Sequence, residues 1–199
     1  MKQQLVFLNG GTPKENYSSY YEYLESTEYD PKKEGFENWN KTLWKHLWDD
    51  WEFLRAPFPN RSYADYDEWK LMFEKMLPYF KEGMNLCASS LWATFLFKYI
   101  WETELPVRIN KLFLVAPAMK ETEEIFGTFS FDFDMVYHRV KRSADTIYLY
   151  HSRDDTMVPF EQSLELKTYF PDAIFREFDN RGHFYKEERL LEIEQDLKK

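Results

Sequence analysis

One cysteine in 199 residues, Cys87, leaves no disulfide framework and no cysteine-based metal spacing, which fits a reducing compartment. Glycine is scarce as well: there are six, and none builds the GxGxxG or Walker pattern that cradles a phosphate, so nucleotide and flavin cofactors are not expected. No apolar stretch approaches the roughly 18 residues needed to cross a bilayer. The opening MKQQLVFLNGG enters a strand at once, without the long apolar core and small-residue cleavage site of a signal peptide, so a cytoplasmic location is expected. Positive charge is in deficit, with 26 Lys and Arg against 35 Asp and Glu, and the acidic residues are spread rather than gathered in a tail. A surface of net charge −9 repels phosphate backbones, which excludes nucleic acid as a partner. The four histidines, His46, His138, His151 and His183, show no metal-ligand spacing to one another, so a zinc site is not expected.

What the chain does have is aromatic bulk and a regular alternation of apolar runs. Phe, Trp and Tyr make up 20% of residues, enough to fill a core and a lid or to line an apolar pocket. The length suits one domain over residues 1–199. Short apolar runs recur at 5–8, 51–56, 84–88, 111–116, 146–150 and 173–178, most of them continuous rather than alternating. That pattern predicts strands covered on both faces. Tyr66, Trp69, Phe73, Met76 and Leu77 follow a helical spacing, as do Leu91, Phe95 and Tyr99, and helices are also predicted over 161–170 and 186–197. The expected architecture is an α/β three-layer sandwich on a mostly parallel six-stranded sheet. Residues 12–50 are longer than one crossover needs and read as two helices joined by a loop; residues 117–145 read as a small lid.

Three polar residues follow strand signals in a fixed order: Ser90 in CASSLWA, Asp155 in HSRDDTMVPF and His183 in NRGHF. Ligands of such sheets bind beyond the carboxyl ends of the strands, which is where all three are expected. A serine hydroxyl becomes a nucleophile only with a base in reach and a carboxylate to orient that base. Ser90, on a turn between a strand and a helix, faces a helix N-terminus whose free N–H groups stabilise developing negative charge. The competing reading of Ser90 is a helix N-cap. Ser89 takes its place if the register slips by one, and Asp154 competes with Asp155, although adjacent aspartates also serve simply as turns. Cys87 reads as core.

At these residues the chain resembles the α/β-hydrolase superfamily, in particular its small lid-poor serine hydrolase branch, which includes the retinoblastoma-binding serine hydrolase and the YdeN-like bacterial proteins. The resemblance extends over TFLFKYI, DDTMVPF and RGHF and covers nearly the whole chain. It implies Ser90 as nucleophile, Asp155 as the acid of a D-P-x-V-P pattern with Thr156 in place of the proline, and His183 as base. It also implies an oxyanion hole formed by the amides of Leu91 and Gly11, or of Gly10 in place of Gly11, from the turn FLNGGTP. Both glycines of the GxSxG pattern are replaced, by Ala88 and Trp92. The indole of Trp92 must therefore displace the helix start, lie in the substrate cavity, or be absorbed by small neighbours; with Gly10 it is assigned to the substrate pocket. The implied activity is cleavage of a small ester, thioester or amide, with a small-molecule acyl substrate and no cofactor, nucleic acid or membrane partner. The rival function is a hydrolase-like binding or interaction module that has lost its chemistry. The residues leave oligomeric state open.

Overall fold

Six short strands form one sheet in the order β2-β1-β3-β4-β5-β6, and every neighbouring pair runs parallel. The strands are β1 (Gln3–Leu8), β2 (Trp51–Arg55), β3 (Met84–Ser89), β4 (Ile109–Val115), β5 (Ala144–Ser152) and β6 (Ile174–Phe178). The computed structural model describes residues 2–8, 14, 16–26, 39–47, 50–55, 63–119 and 133–199. The fold expectation holds, with a sheet that is parallel throughout.

Residues of alternate parity along the central strands feed two separate cores. Val6, Leu8, Leu86, Ala88, Leu112, Leu114 and Leu149 face one cluster, whereas Leu5, Phe7, Cys87, Phe113, Val115, Tyr148 and Tyr150 face the other. Because both faces are dry, the interior strands can be continuously apolar. The edge strands β2 and β6 are less buried, as their single sheet neighbour requires.

The first cluster is covered by α3 (Tyr66–Met76), α4 (Leu91–Glu102), α5 (Phe133–Ser143) and α6 (Glu161–Tyr169); the second by α2 (Trp39–Leu47) and α7 (Leu191–Lys198). Helix α4 is buried continuously from Leu91 to Ile100, so it reads as apolar all round instead of amphipathic. Helix α1 (Tyr17–Ser26) buries none of its residues. Asp65 caps α3 by accepting the Glu68 N–H at 3.0 Å.

Two expected boundaries change. Within residues 117–145, assigned to a lid, 133–143 form α5, an ordinary crossover helix that packs on α4 and runs straight into β5, and 120–132 lie outside the described residues. The last helix begins at Leu191 rather than 186, because carbonyls that would start it are committed elsewhere. The Glu187 carbonyl accepts the Trp39 N–H at 2.6 Å, and that of Glu188 accepts the Thr42 hydroxyl at 2.7 Å, pinning this segment to α2. Of the two helices expected over 12–50, α1 and α2 are present; the polar run between them lies outside the described residues. Among the described residues, no helix is long and apolar enough to cross a membrane.

Strand order reverses between β1 and β3, since β2 lies on one side of β1 and all later strands on the other. The crevice of an open α/β sheet forms at such a switch point, past the carboxyl ends of the strands. Ser90 emerges there.

Candidate active site

Ser90 links the end of β3 to the first residue of α4 with φ 54° and ψ −129°. For a residue with a Cβ this conformation costs on the order of 1 to 3 kcal/mol, so the surroundings must hold it. They do so through the backbone. Its N–H donates to the Val115 carbonyl of the adjacent strand at 2.9 Å, and its carbonyl accepts from Ala93 at 3.0 Å and Ala118 at 3.3 Å. The side chain makes no capping bond to α4 and is partly exposed, so the N-cap reading of this serine fails. Leu91 is the first helical residue, and its amide is one of the donors that an α-helix leaves unmatched at its N-terminus.

The loop after β4 packs beside this turn. Ala116 also has positive φ, 45°, with its N–H bonded to the Tyr150 carbonyl at 2.8 Å. The Thr94 hydroxyl of α4 donates to the Ala118 carbonyl, and the Met119 N–H donates to Gln162 of α6 at 2.5 Å. Residues 116–119 are thus tied to both helices that flank the cleft.

Asp155 follows β5 and is surrounded by donors. Oδ1 accepts the backbone N–H groups of Met157 at 2.8 Å and Val158 at 3.0 Å. Oδ2 lies 2.7 Å from His183 Nδ1 and 3.2 Å from His151 Nε2, and the carboxylate is fully buried. Burial alone would raise its pKa; the hydrogen bonds from His151, His183 and the Val158 amide outweigh that and hold the carboxyl well below the usual carboxylate range. It is therefore a charged acceptor at neutral pH.

His183 follows β6 in a loop shaped by two left-handed residues, Gly182 at φ 49° and Phe184 at φ 57°. Phe184 is buried in the second core against Phe178, with ring centroids 5.5 Å apart, which anchors the loop immediately after the imidazole. Asp154 ties the loop from the other side: its Oδ1 accepts the Ser152 hydroxyl at 2.5 Å and the Gly182 N–H at 2.9 Å.

The fold has known counterparts. The sequence model of the family described as "Serine hydrolase" matches residues 33–198. The chain belongs to the serine hydrolase family. Among solved structures, the ydeN gene product of B. subtilis is similar over 100% of this chain and 97% of its own, with 19% identity and a TM-score of 0.73. A putative YdeN-like hydrolase from Pectobacterium atrosepticum covers 92% of this chain and 80% of its own at 16% identity, TM-score 0.58. Est1E from Butyrivibrio proteoclasticus covers 98% and 85% at 14% identity, TM-score 0.62. At these identities the structural likeness speaks to the fold, which is that of α/β hydrolases. No curated protein sequence matches the chain.

Within this family fold, Ser90, Asp155 and His183 all lie past the carboxyl ends of their strands, as expected. Asp155 and His183 are in direct contact, whereas among the described residues no hydrogen bond joins Ser90 Oγ to the imidazole. Catalytic hydrogen bonds to a nucleophile are often long before substrate arrives. Asp154 holds the histidine loop, leaving Asp155 to face the ring. Gly10 and Gly11 lie outside the described residues.

The assignment of Trp92 to the substrate pocket is corrected. Its side chain is fully buried and stacks on Trp69 of α3, with ring centroids 3.7 Å apart and planes 5° from parallel, while Phe95 meets its edge at 5.1 Å. The indole is absorbed by large flat neighbours, not small ones, and it leaves the cleft to other residues. Sequence reasoning also undervalued His151. Its position four residues before Asp155 was the available signal: at the end of β5 it turns inward and meets the same carboxylate.

Proposed function

We propose that the protein is a serine hydrolase that cleaves a small ester, thioester or amide with Ser90 as nucleophile, His183 as general base and Asp155 as the group orienting the base. The 2.7 Å contact between His183 Nδ1 and the buried Asp155 carboxylate carries this reading. An ionised carboxylate accepts only, so Nδ1 bears the proton and Nε2 keeps its lone pair for the serine hydroxyl. Ser90 Oγ attacks the carbonyl carbon as its proton passes to Nε2, and the carbonyl oxygen becomes an oxyanion facing the Leu91 amide, with Gly11 as the second donor. Collapse expels the leaving alcohol, thiol or amine, which takes the proton from Nε2. Water activated by the same nitrogen then releases the acyl group from Ser90 and restores the enzyme. The strained Ser90 backbone and the absence of a capping bond on its side chain support the nucleophile role.

The test is labelling of the purified protein with a fluorophosphonate probe. Wild type is expected to label on Ser90, and Ser90→Ala and His183→Ala to lose the label. An unlabelled wild type would overturn the reading in favour of a binding module.

A further inference from the structure

Beyond the three residues of the proposed mechanism, one chemically able side chain is buried against them. His151 is wholly inaccessible to solvent, yet every nitrogen of its ring has a partner. Nε2 faces two acceptors, the Val158 carbonyl at 3.0 Å and Asp155 Oδ2 at 3.2 Å. Nδ1 lies 2.7 Å from the Ser163 hydroxyl on the first turn of α6. A carbonyl cannot donate, so Nε2 carries a proton, and the Ser163 hydroxyl is the partner of Nδ1. The edge of the ring is packed by Phe160, with centroids 5.5 Å apart.

We infer that His151 is a positioning residue for the general base: its Nε2–H, bonded to the Val158 carbonyl, also stands 3.2 Å from the Asp155 oxygen that receives His183 and closes one side of that oxygen, so it fixes the direction from which the base approaches. This inference rests on the catalytic reading of Asp155 and His183. A carboxylate oxygen offers two lone pairs. The two amides occupy Oδ1, His151 Nε2 stands against one side of Oδ2, and His183 binds that oxygen from the other. Ser163 extends the chain one step further by its hydrogen bond to Nδ1, which holds the orientation of the His151 ring, so the first turn of α6 is coupled to the orientation of the base. A purely structural histidine here would serve only to satisfy the Val158 carbonyl and the Ser163 hydroxyl, and the base would be indifferent to it.

Three variants separate these roles. His151→Phe keeps the ring packing against Phe160 and removes both nitrogens; His151→Gln keeps a donor of similar reach; Ser163→Ala removes the bond that holds Nδ1 with little change in volume. With a short-chain p-nitrophenyl ester, His151→Phe is expected to lower kcat about tenfold, the scale of one hydrogen bond to a charged group, with KM within about twofold. His151→Gln should recover most of that loss, and Ser163→Ala should show a smaller drop in kcat alone. In proton NMR the His183 Nδ1–H resonance should exchange with water faster in His151→Phe than in wild type. If His151→Phe fails to fold, Ser163→Ala and His151→Gln still decide the matter. A folded His151→Phe or Ser163→Ala with kcat and His183 exchange like wild type would overturn the inference. The NMR arm needs no turnover, so a wild type that fails to label at Ser90 would sink the hydrolase reading while the resonance still reports whether His151 holds the Asp155–His183 pair.

Discussion

Trp92 lies face to face with Trp69, and that stack explains how a strand-to-helix turn tolerates an indole where the family pattern has glycine. Position 92 is on the first turn of α4, and its side chain leaves the turn toward α3, where Trp69 and Phe73 of α3 and Phe95 of α4 form an aromatic floor. The turn thus gains a buried brace in place of a close approach.

Truncating this brace should be costly. Trp92→Ala and Trp69→Ala are each expected to destabilise the protein by about 3 to 5 kcal/mol, the range for fully buried large aromatics. Because each ring is the other's main partner, the double variant should cost less than the sum of the singles. Urea midpoints for the four proteins test this, and strict additivity would show that the stack carries no shared energy.

The two adjacent aspartates should separate by role. Asp155→Asn keeps the shape but offers an amide nitrogen or a weaker acceptor to His183, so the wrong tautomer is favoured; esterase activity is expected to fall by about 10³ to 10⁴. Asp154→Asn disturbs only the tie to Ser152 and Gly182, and a loss below about tenfold is expected. The ratio of initial rates decides the assignment, and equal losses would refute it.

The architecture and much of this site were legible in the residues because the signals were local. Continuous apolar runs mark strands dry on both faces, and β1, β3, β4 and β5 are such strands. Ser90 follows such a run directly and Asp155 three residues after one, while His183 follows the edge strand β6 by five residues. What was not legible depends on contacts far apart in sequence. The start of α7 is delayed by bonds from Glu187 and Glu188 to α2, about 146 residues away in the case of Thr42 and Glu188. The fate of Trp92 was decided by Trp69 on another helix, and the inward turn of His151 by Ser163 on α6. The helix over 133–143 was itself legible, since Val136, Tyr137 and Val140 recur at helical spacing and are the residues that enter the first core.

Gly182 is predicted to matter for backbone reasons alone. A Cβ at this position would meet nothing within 4 Å, so Gly182→Ala is sterically free, yet the residue sits at φ 49°. The left-handed conformation costs a residue with a side chain about 1 to 2 kcal/mol, and stability should fall by that amount. The same strain acts one residue before His183, so kcat is expected to drop more than KM changes. Thermal unfolding and steady-state kinetics on the same preparation check both, and an unaltered melting temperature would contradict the conformational argument.

Acid sensitivity should trace to a second buried carboxylate, away from the cleft. Asp196 on α7 receives the Tyr150 hydroxyl at 2.6 Å, two nitrogens of Arg176 at 3.0 and 2.8 Å, and Lys199 at 2.7 Å. Burial would raise its pKa, but these donors outweigh burial and bring it down to about 2. In the unfolded chain an aspartate titrates near 3.9. A carboxyl whose pKa is lower in the folded state contributes stability above its unfolded pKa and loses that contribution as pH falls through the folded value. Asp196 should therefore supply about 2 kcal/mol at neutral pH, with the loss spread between about pH 4 and pH 2. Asp155, also depressed, titrates alike in wild type and in Asp196→Asn, so it cancels when the two are compared. Urea midpoints at pH 6, 4, 3 and 2 are expected to show a stability gap between wild type and Asp196→Asn that is constant from pH 6 to 4 and narrows below it. A gap that stays constant down to pH 2 would mean that the network around Asp196 does not hold the carboxylate ionised, and that α7 is secured by its apolar face of Ile193 and Leu197 alone.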